Sequence, residues 1–289
     1  ASRSRLPAFM LRNYKPFSQR SNNVARTLIG SVFLASILVV TSTAKQPAVT
    51  ARQSAGTAQQ PAARPAASGT VLITGSNRGL GLEYTKQYAA RGWKVIATAR
   101  NPEAATELRA LAAKSRGVSV EKLDVEDVAA IKVLAAKYKG TAIDVLINNA
   151  GVLGDMQKQG VGSFNKAEFD DVMDVNVFGA LAIADAFLDH VSASTQKKIV
   201  SITSRSGIIS QPGRRGPSFY RASKAALNMV MKVLADDVRE RGVIVALVSP
   251  PPTETDMLKQ LIGPENAARQ GKVPDTIGGL IKVIDGLAL

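Results

Sequence analysis

Tyr220 and Lys224 stand four residues apart. In a helix that spacing puts both on one face. A free tyrosine has a pKa of about 10, too high for ready proton exchange at neutral pH. A lysine ammonium beside it favours the phenolate and is expected to lower that value. The pair could then work as an acid/base group near pH 7, although a lone Tyr and Lys at this spacing are more often a helix-surface pair. Ser204 offers a hydroxyl that could donate to an oxygen as negative charge develops there. A different chemistry is written into Thr74-Gly75-Ser76-Asn77-Arg78-Gly79-Leu80-Gly81. Glycines permit a tight turn and let backbone approach a phosphate held at a helix N-terminus; the bland alternative is a flexible loop. Zero cysteines remove disulfides, thiolate zinc sites, iron–sulfur clusters and thiol nucleophiles. The single histidine, His190, leaves little for a metal cluster or a Ser-His-Asp triad, and is read as capping or solvating the end of its helix.

The elements that must position these groups begin at Thr70. Short β-branched runs at 70–74, 94–99, 118–123, 143–148, 197–203 and 243–249 alternate with helix-period stretches at about 80–91, 103–115, 126–139, 168–191 and 219–241. That alternation predicts right-handed βαβ units and a parallel sheet covered on both faces. The expected fold is α/β, a Rossmann-type doubly wound sheet, forming a single domain over 70–289. The glycine-rich turn falls at its first strand–helix junction, the context a phosphate cradle requires. Ser204 follows the strand 197–203, on the rim where ligands bind in such sheets.

The second strand bears on which nucleotide would bind. A site for NAD places an acidic residue at its end, to hold the ribose 2′-hydroxyl. Here the strand ends Ala99-Arg100, and Arg78 lies in the glycine turn. Two guanidinium groups suit a 2′-phosphate, which a carboxylate would repel. For Arg100 alone the plain alternative is a solvated loop charge.

The glycine spacing TGxxxGxG differs from the GxGxxG of many dehydrogenases and resembles that of the short-chain dehydrogenase/reductase family. Asn148-Asn149-Ala150-Gly151 at the end of the fourth strand, then Asn176, Ser204 and Tyr220-Arg221-Ala222-Ser223-Lys224, continue the likeness over about 70–287. TGSNRGLG and YRASKAALNM are most similar to the carbonyl-reductase branch that includes sniffer-type reductases and bacterial C-signal proteins. The resemblance implies a catalytic group of Asn176, Ser204, Tyr220 and Lys224, with Asn176 anchoring a proton-relaying water. It implies an NADP(H) site built from Gly75, Ser76, Arg78, Gly79, Leu80, Gly81, Arg100, Asp124, Val125, Asn149, Ala150, Gly151, Tyr220, Lys224, Pro250 and Thr255. Asp124 would contact the adenine, though it could equally N-cap the helix that follows. The implied reaction moves hydride from NADPH to a carbonyl carbon, with the proton from Tyr220. The alternative is a non-catalytic nucleotide-binding subunit or signalling protein on the same fold.

Three features depart from the family pattern. Ser204 and Tyr220 are 16 positions apart, with a basic, turn-forming insert at 211–216 that could join the substrate rim. Pro251 stands where a glycine is usual after the last strand, in Pro250-Pro251-Pro252. The segment 277–287 leads, in the family, to a final edge strand, which is expected to be absent here.

Residues 1–69 hold nine basic residues and no acid, so nine of the +14 net charge lie outside the expected domain. A nucleic-acid partner is therefore not expected. Residues 1–44 read as a targeting or membrane-anchor segment, with an uncharged apolar run at 27–44, and 45–69 as a disordered Ala/Pro/Gln linker. An organellar enzyme freed from its leader is the favoured reading; an exported or anchored protein, associated with a membrane through 27–44, is the alternative. The expected partner is a small carbonyl or alcohol substrate, the segment 257–276 forming its pocket; a homo-oligomer is left open.

Overall fold

The computed structural model describes residues 37–39, 68–210 and 216–288. In chain order the elements are β1 (Ile37–Val39), β2 (Thr70–Ile73), α1 (Gly79–Ala90), β3 (Lys94–Ala99), α2 (Thr106–Lys114), β4 (Val118–Lys122), α3 (Val128–Lys137), β5 (Val145–Asn148), α4 (Lys166–Met173), α5 (Gly179–Ala186), α6 (Leu188–Ser192), β6 (Lys198–Ile202), α7 (Ser218–Asp237), β7 (Ile244–Val248), α8 (Asp256–Ile262), α9 (Pro264–Ala268) and α10 (Val273–Asp285). The strands order β1-β7-β6-β5-β2-β3-β4. β2 through β7 are mutually parallel. The exception is β1, whose Ile37, Leu38 and Val39 pair antiparallel with Val248, Leu247 and Ala246 on the outer edge of β7. The rest of the 1–44 targeting reading and of the 45–69 linker lies outside the described residues, as does the 211–215 part of the basic insert. Among the described residues no helix is long and apolar enough to cross a membrane.

Period-two alternation explains the layering. Val71, Ile73, Val145, Ile147, Val200 and Ile202 face one side, where α1 and α10 supply Leu82, Tyr84, Tyr88, Ile277, Leu280 and Ile284. Leu72, Leu146 and Ile199 face the other, against Ile131 and Leu134 of α3, Ile183 of α5 and Leu227, Met231 and Leu234 of α7. Apolar runs with no polar face form strands buried on both sides, as a parallel sheet requires.

The strand order reverses between β2 and β5, which are neighbours in the sheet though far apart in sequence. Such a reversal opens a crevice at the carboxyl ends of the strands. Thr74 after β2 and Asn149 after β5 both sit there.

Two elements differ from the sequence reading. The helix expected over 168–191 is broken: a π-helical turn, Asp174–Phe178, joins α4 to α5, and Phe187 separates α5 from α6. The π turn goes with a contact distant in sequence, since Asn176 at its centre bonds outward to Val152. The segment 257–287, expected to form the substrate pocket and to lead towards an edge strand, forms α8, α9 and α10. Ile277, Leu280, Ile281 and Ile284 give α10 a buried face. Lys198 Nζ closes its C-terminus by donating to the Ile284 and Asp285 carbonyls at 2.8 and 3.2 Å.

Candidate active site

The crevice is a cleft of about 770 Å³, the size of small-molecule and cofactor sites in general. Its floor is two turns locked together. Thr74 Oγ1 accepts from the backbone N–H of Asn149 and of Ala150, each at 3.0 Å. Asn149 Nδ2 donates back to the Thr74 and Gly75 carbonyls at 2.9 and 3.1 Å. Gly81 must lack a side chain for this to close, because a Cβ there would lie 2.2 Å from the Gly75 carbonyl oxygen. Gly79 has φ +56° with open space where its Cβ would be, leaving bare backbone at the start of α1. This is a cradle that fits a phosphate.

Most of the expected nucleotide-contacting residues line the cleft: Gly75, Arg78, Gly79, Leu80, Gly81, Arg100, Asp124, Val125, Asn149, Ala150, Gly151, Tyr220, Lys224, Pro250 and Thr255. Ser76 does not. It is fully buried, its hydroxyl donating to Ile73 O at 3.0 Å and its N–H to Thr98 O at 2.8 Å, so it shapes the turn from behind. Asp124 does not N-cap the next helix; Asp127 does, accepting from Ala130 N at 2.9 Å. Asp124 instead accepts from Glu126 N at 3.3 Å, with its other oxygen 4.0 Å from Arg100. Arg78 reaches across the cleft to Asp256 at 3.2 Å. Thr255 N-caps α8 through Leu258 N.

At the other end of the cleft Ser204, Tyr220 and Lys224 come together. Ser204 Oγ accepts from Ser206 N at 3.1 Å, which leaves its proton free to point into the cleft. The turn after it presses directly on α7: a Cβ on Gly207 would sit 2.6 Å from the Lys224 carbonyl carbon. Lys224 Nζ donates to Ile202 O at 2.9 Å and lies 5.8 Å from the Tyr220 ring centre. Burial lowers its amine to about 8.

The expected lowering of Tyr220 by Lys224 is not found. Burial pushes the phenol above its ordinary value, and only a hydrogen bond with Ser204 acts against it. The physical reason is burial of the phenol, while the hydrogen bond of the lysine goes to the β6 carbonyl. Asn176 lies behind the cleft wall, buried. Its Oδ1 accepts from Val152 N at 2.8 Å, and its Nδ2 donates to Val152 O and Ser223 Oγ at 2.9 and 3.0 Å. Ser223 in turn donates to Tyr220 O at 2.8 Å. His190 does not cap its own helix; its Nε2 is 3.1 Å from Ala135 O, and its ring packs on Phe187.

The family described as short chain dehydrogenase matches residues 69–266. The chain belongs to that family. Among relatives of this dehydrogenase, the 3-oxoacyl-acyl-carrier-protein reductase FabG of Escherichia coli is 30% identical over 221 residues, 75% of this chain and 87% of its own. An NADPH-bound carbonyl reductase from chicken fatty liver superposes with TM-score 0.68 at 30% identity, covering 76% of this chain and 88% of its own. The carbonyl reductase Sniffer of D. melanogaster gives 0.67 at 26% identity, covering 77% and 93%. Both solved structures are carbonyl reductases, the branch that the glycine turn and the Tyr220–Lys224 helix resemble.

Sequence reasoning missed three groups in this short-chain dehydrogenase. Thr74 was visible as part of the glycine motif, but its acceptor role depends on β5. Ser223 lies inside the Tyr220–Lys224 motif, yet its link to Asn176 spans 47 residues. Gln159, buried at the N-terminus of α7, carries no local signal at all.

Proposed function

We propose that this oxidoreductase reduces a ketone or aldehyde to an alcohol with NADPH. The observation that carries the reading is the convergence of Ser204, Tyr220 and Lys224 at one end of a cleft whose other end is a glycine cradle. When bound there, NADPH supplies the hydride. Gly75, Gly79, Leu80 and Gly81 would hold its pyrophosphate on bare backbone, and Asn149, Ala150, Gly151, Val125, Asp124, Pro250 and Thr255 would flank it. Arg100, with no carboxylate in its place at the end of β3, and Arg78 would take the 2′-phosphate.

The carbonyl oxygen lies between two hydroxyls. Ser204 donates a hydrogen bond that stabilises the developing oxyanion. Tyr220 gives up its phenolic proton to that oxygen as the carbon takes the hydride, so the carbonyl is reduced and an alcohol forms. A phenol kept above its ordinary pKa is fully protonated at neutral pH, the state that reduction needs. Lys224, buried behind it, supplies positive charge as the phenolate forms and steadies it. Asn176 supports the cleft wall at Val152 and, in this reading, the proton supply to Lys224. Leu153, Met257 and Leu261 give the cleft an apolar side, which supports a small or medium apolar substrate. Removal of 1–44 as an organellar leader, which would take β1 from the edge of β7, is a separate part of the proposal, and a mature protein retaining those residues overturns that processing alone.

The test is purified protein with NADPH or NADH and a panel of aldehydes and ketones, followed by loss of reduced-cofactor absorbance. Turnover with NADPH preferred supports the reading. NADPH binding without turnover on any member favours a nucleotide-binding subunit or signalling protein instead.

A further inference from the structure

Helix α7 carries Tyr220, and it begins badly. Its N-cap residue is Pro217, which has no side-chain oxygen and makes no capping bond. The first N–H groups of a helix have no partner within the helix, and a polar N-cap would normally accept from the second or third of them. Here those two belong to Phe219 and Tyr220.

Both are satisfied from outside. Gln159 Oε1 accepts from Phe219 N at 3.0 Å and from Tyr220 N at 3.2 Å. Its Nε2 donates to the Leu153 carbonyl at 2.9 Å and the Asp155 carbonyl at 3.3 Å. Its own carbonyl accepts from Ser218 Oγ. The side chain is 2% exposed, in a loop between β5 and α4 that is otherwise mostly solvated. Every polar atom of this amide is used, and its two ends need opposite hydrogen-bonding character. A carboxylate would face two carbonyl oxygens; an apolar chain would strand two helix N–H groups. The loop is shaped for it: Gly154 has φ +75°, and a Cβ there would meet Gln159 Nε2 at 2.8 Å.

We propose that Gln159 is a positioning residue for Tyr220, capping the catalytic helix in trans where Pro217 cannot cap it in cis. Tyr220 is the third residue of α7, in the turn that frays first without a cap. Lys224, one turn deeper, is anchored separately by Ile202 O. The first turn therefore sets the phenol's position relative to Lys224 and Ser204, and Gln159 sets the first turn. The same amide fixes the backbone that follows Val152, so the loop flanking the cleft and the acid/base group move as one piece. This rests on the reading of Tyr220 as proton donor.

The test is Gln159→Met, which keeps length and volume but removes both hydrogen-bonding ends, and Gln159→Met combined with Pro217→Ser, which supplies a conventional cap. The expected result for Gln159→Met is a kcat lower by at least roughly tenfold, since misplacing a reacting group by about 1 Å can cost ~100-fold. KM for NADPH should stay within about twofold, and the amides of residues 218–223 should exchange hydrogen faster. The double variant should recover most of both losses. Wild-type kcat in Gln159→Met overturns the proposal; so does a double variant as slow as the single one, which would make Gln159 a loop-packing residue. Should Gln159→Met not fold, wild-type exchange decides: Phe219 and Tyr220 amides exchanging like a frayed end would overturn it, and protection equal to the helix interior supports it. Tyr220→Phe run alongside separates the two ideas. Full activity there removes the proton-donor reading itself, whereas inactivity there with wild-type rates in Gln159→Met removes only the cap.

Discussion

The Lys224 amine lies 5.8 Å from the centre of the Tyr220 ring, one helical turn along, while its hydrogen bond goes to the Ile202 carbonyl at 2.9 Å. The lysine is thus pinned by the end of β6, with its hydrogen bond going to that carbonyl and not to the phenol. Held in a buried pocket, it has a lowered pKa and is a proton reservoir close to the physiological range, better suited to answering a phenolate that forms during turnover than to maintaining one at rest.

That lowered pKa is measurable as a stability effect. The folded-state value of about 8 lies below the ordinary 10.5, so the unfolded chain binds more protons between those limits. Stability contributed by this group therefore rises as pH climbs from about 8 to 10.5. The gap corresponds to about 3 kcal/mol. Lys224→Met removes this dependence, but strands the Ile202 carbonyl at a cost of about 1–3 kcal/mol at every pH. Urea unfolding should show the variant near wild type at pH 7 and less stable by roughly 3 kcal/mol more at pH 10.5. A constant difference between the two proteins across that range would show that the amine is not depressed.

Cofactor choice should follow Arg100. A charge-assisted hydrogen bond is worth about 1.5–3 kcal/mol, so Arg100→Asp should weaken NADPH roughly 10- to 100-fold while NADH holds or improves. Arg78 starts from a different position, paired with Asp256 at 3.2 Å with both side chains more than half exposed. Such a pair is worth about 1 kcal/mol or less. Asp256→Asn should leave the melting temperature nearly unchanged and tighten NADPH by a few-fold, because it frees Arg78 for the phosphate. Fluorescence titration with both nucleotides checks both variants.

The floor of the cleft depends on one hydroxyl. Thr74→Val keeps the shape and strands the N–H groups of Asn149 and Ala150. Unfolding should show a loss of about 1–3 kcal/mol, with weaker nucleotide binding, and Thr74→Ser should restore both. Wild-type stability in Thr74→Val would mean that packing and the Asn149 side-chain bonds hold the two turns without this hydroxyl.

The parts of this protein that sequence exposes are those written in local periodicity. Alternating apolar residues such as Val71, Leu72 and Ile73 announce a buried strand, glycines at 75, 79 and 81 announce a turn, and four-residue spacing puts Tyr220 and Lys224 on one helix face. The sheet order and the cleft follow from these. What stayed hidden depends on contacts between residues far apart in sequence. The break at Asp174–Phe178 exists because Asn176 bonds to Val152, 24 residues away. Gln159 reaches α7 across 60 residues, and nothing around it in sequence marks it. Four-residue spacing predicts a Tyr220 lowered by its lysine because spacing shows proximity but not burial, and burial raises the phenol here, with Ser204 the group that acts against it. The C-terminal helix α10 does carry a helical pattern, in Ile277, Leu280, Ile281 and Ile284.

Turnover by Tyr220→Phe tests the central claim most directly. It should be measured on the carbonyl that the wild type reduces fastest, with NADPH affinity determined on the same preparations. General acid catalysis by a positioned group contributes roughly 10²–10⁴-fold, so kcat should fall by at least about 100-fold while NADPH affinity stays within about threefold. Equal turnover in the two proteins, with NADPH bound equally, would contradict the assignment of Tyr220 as the proton donor.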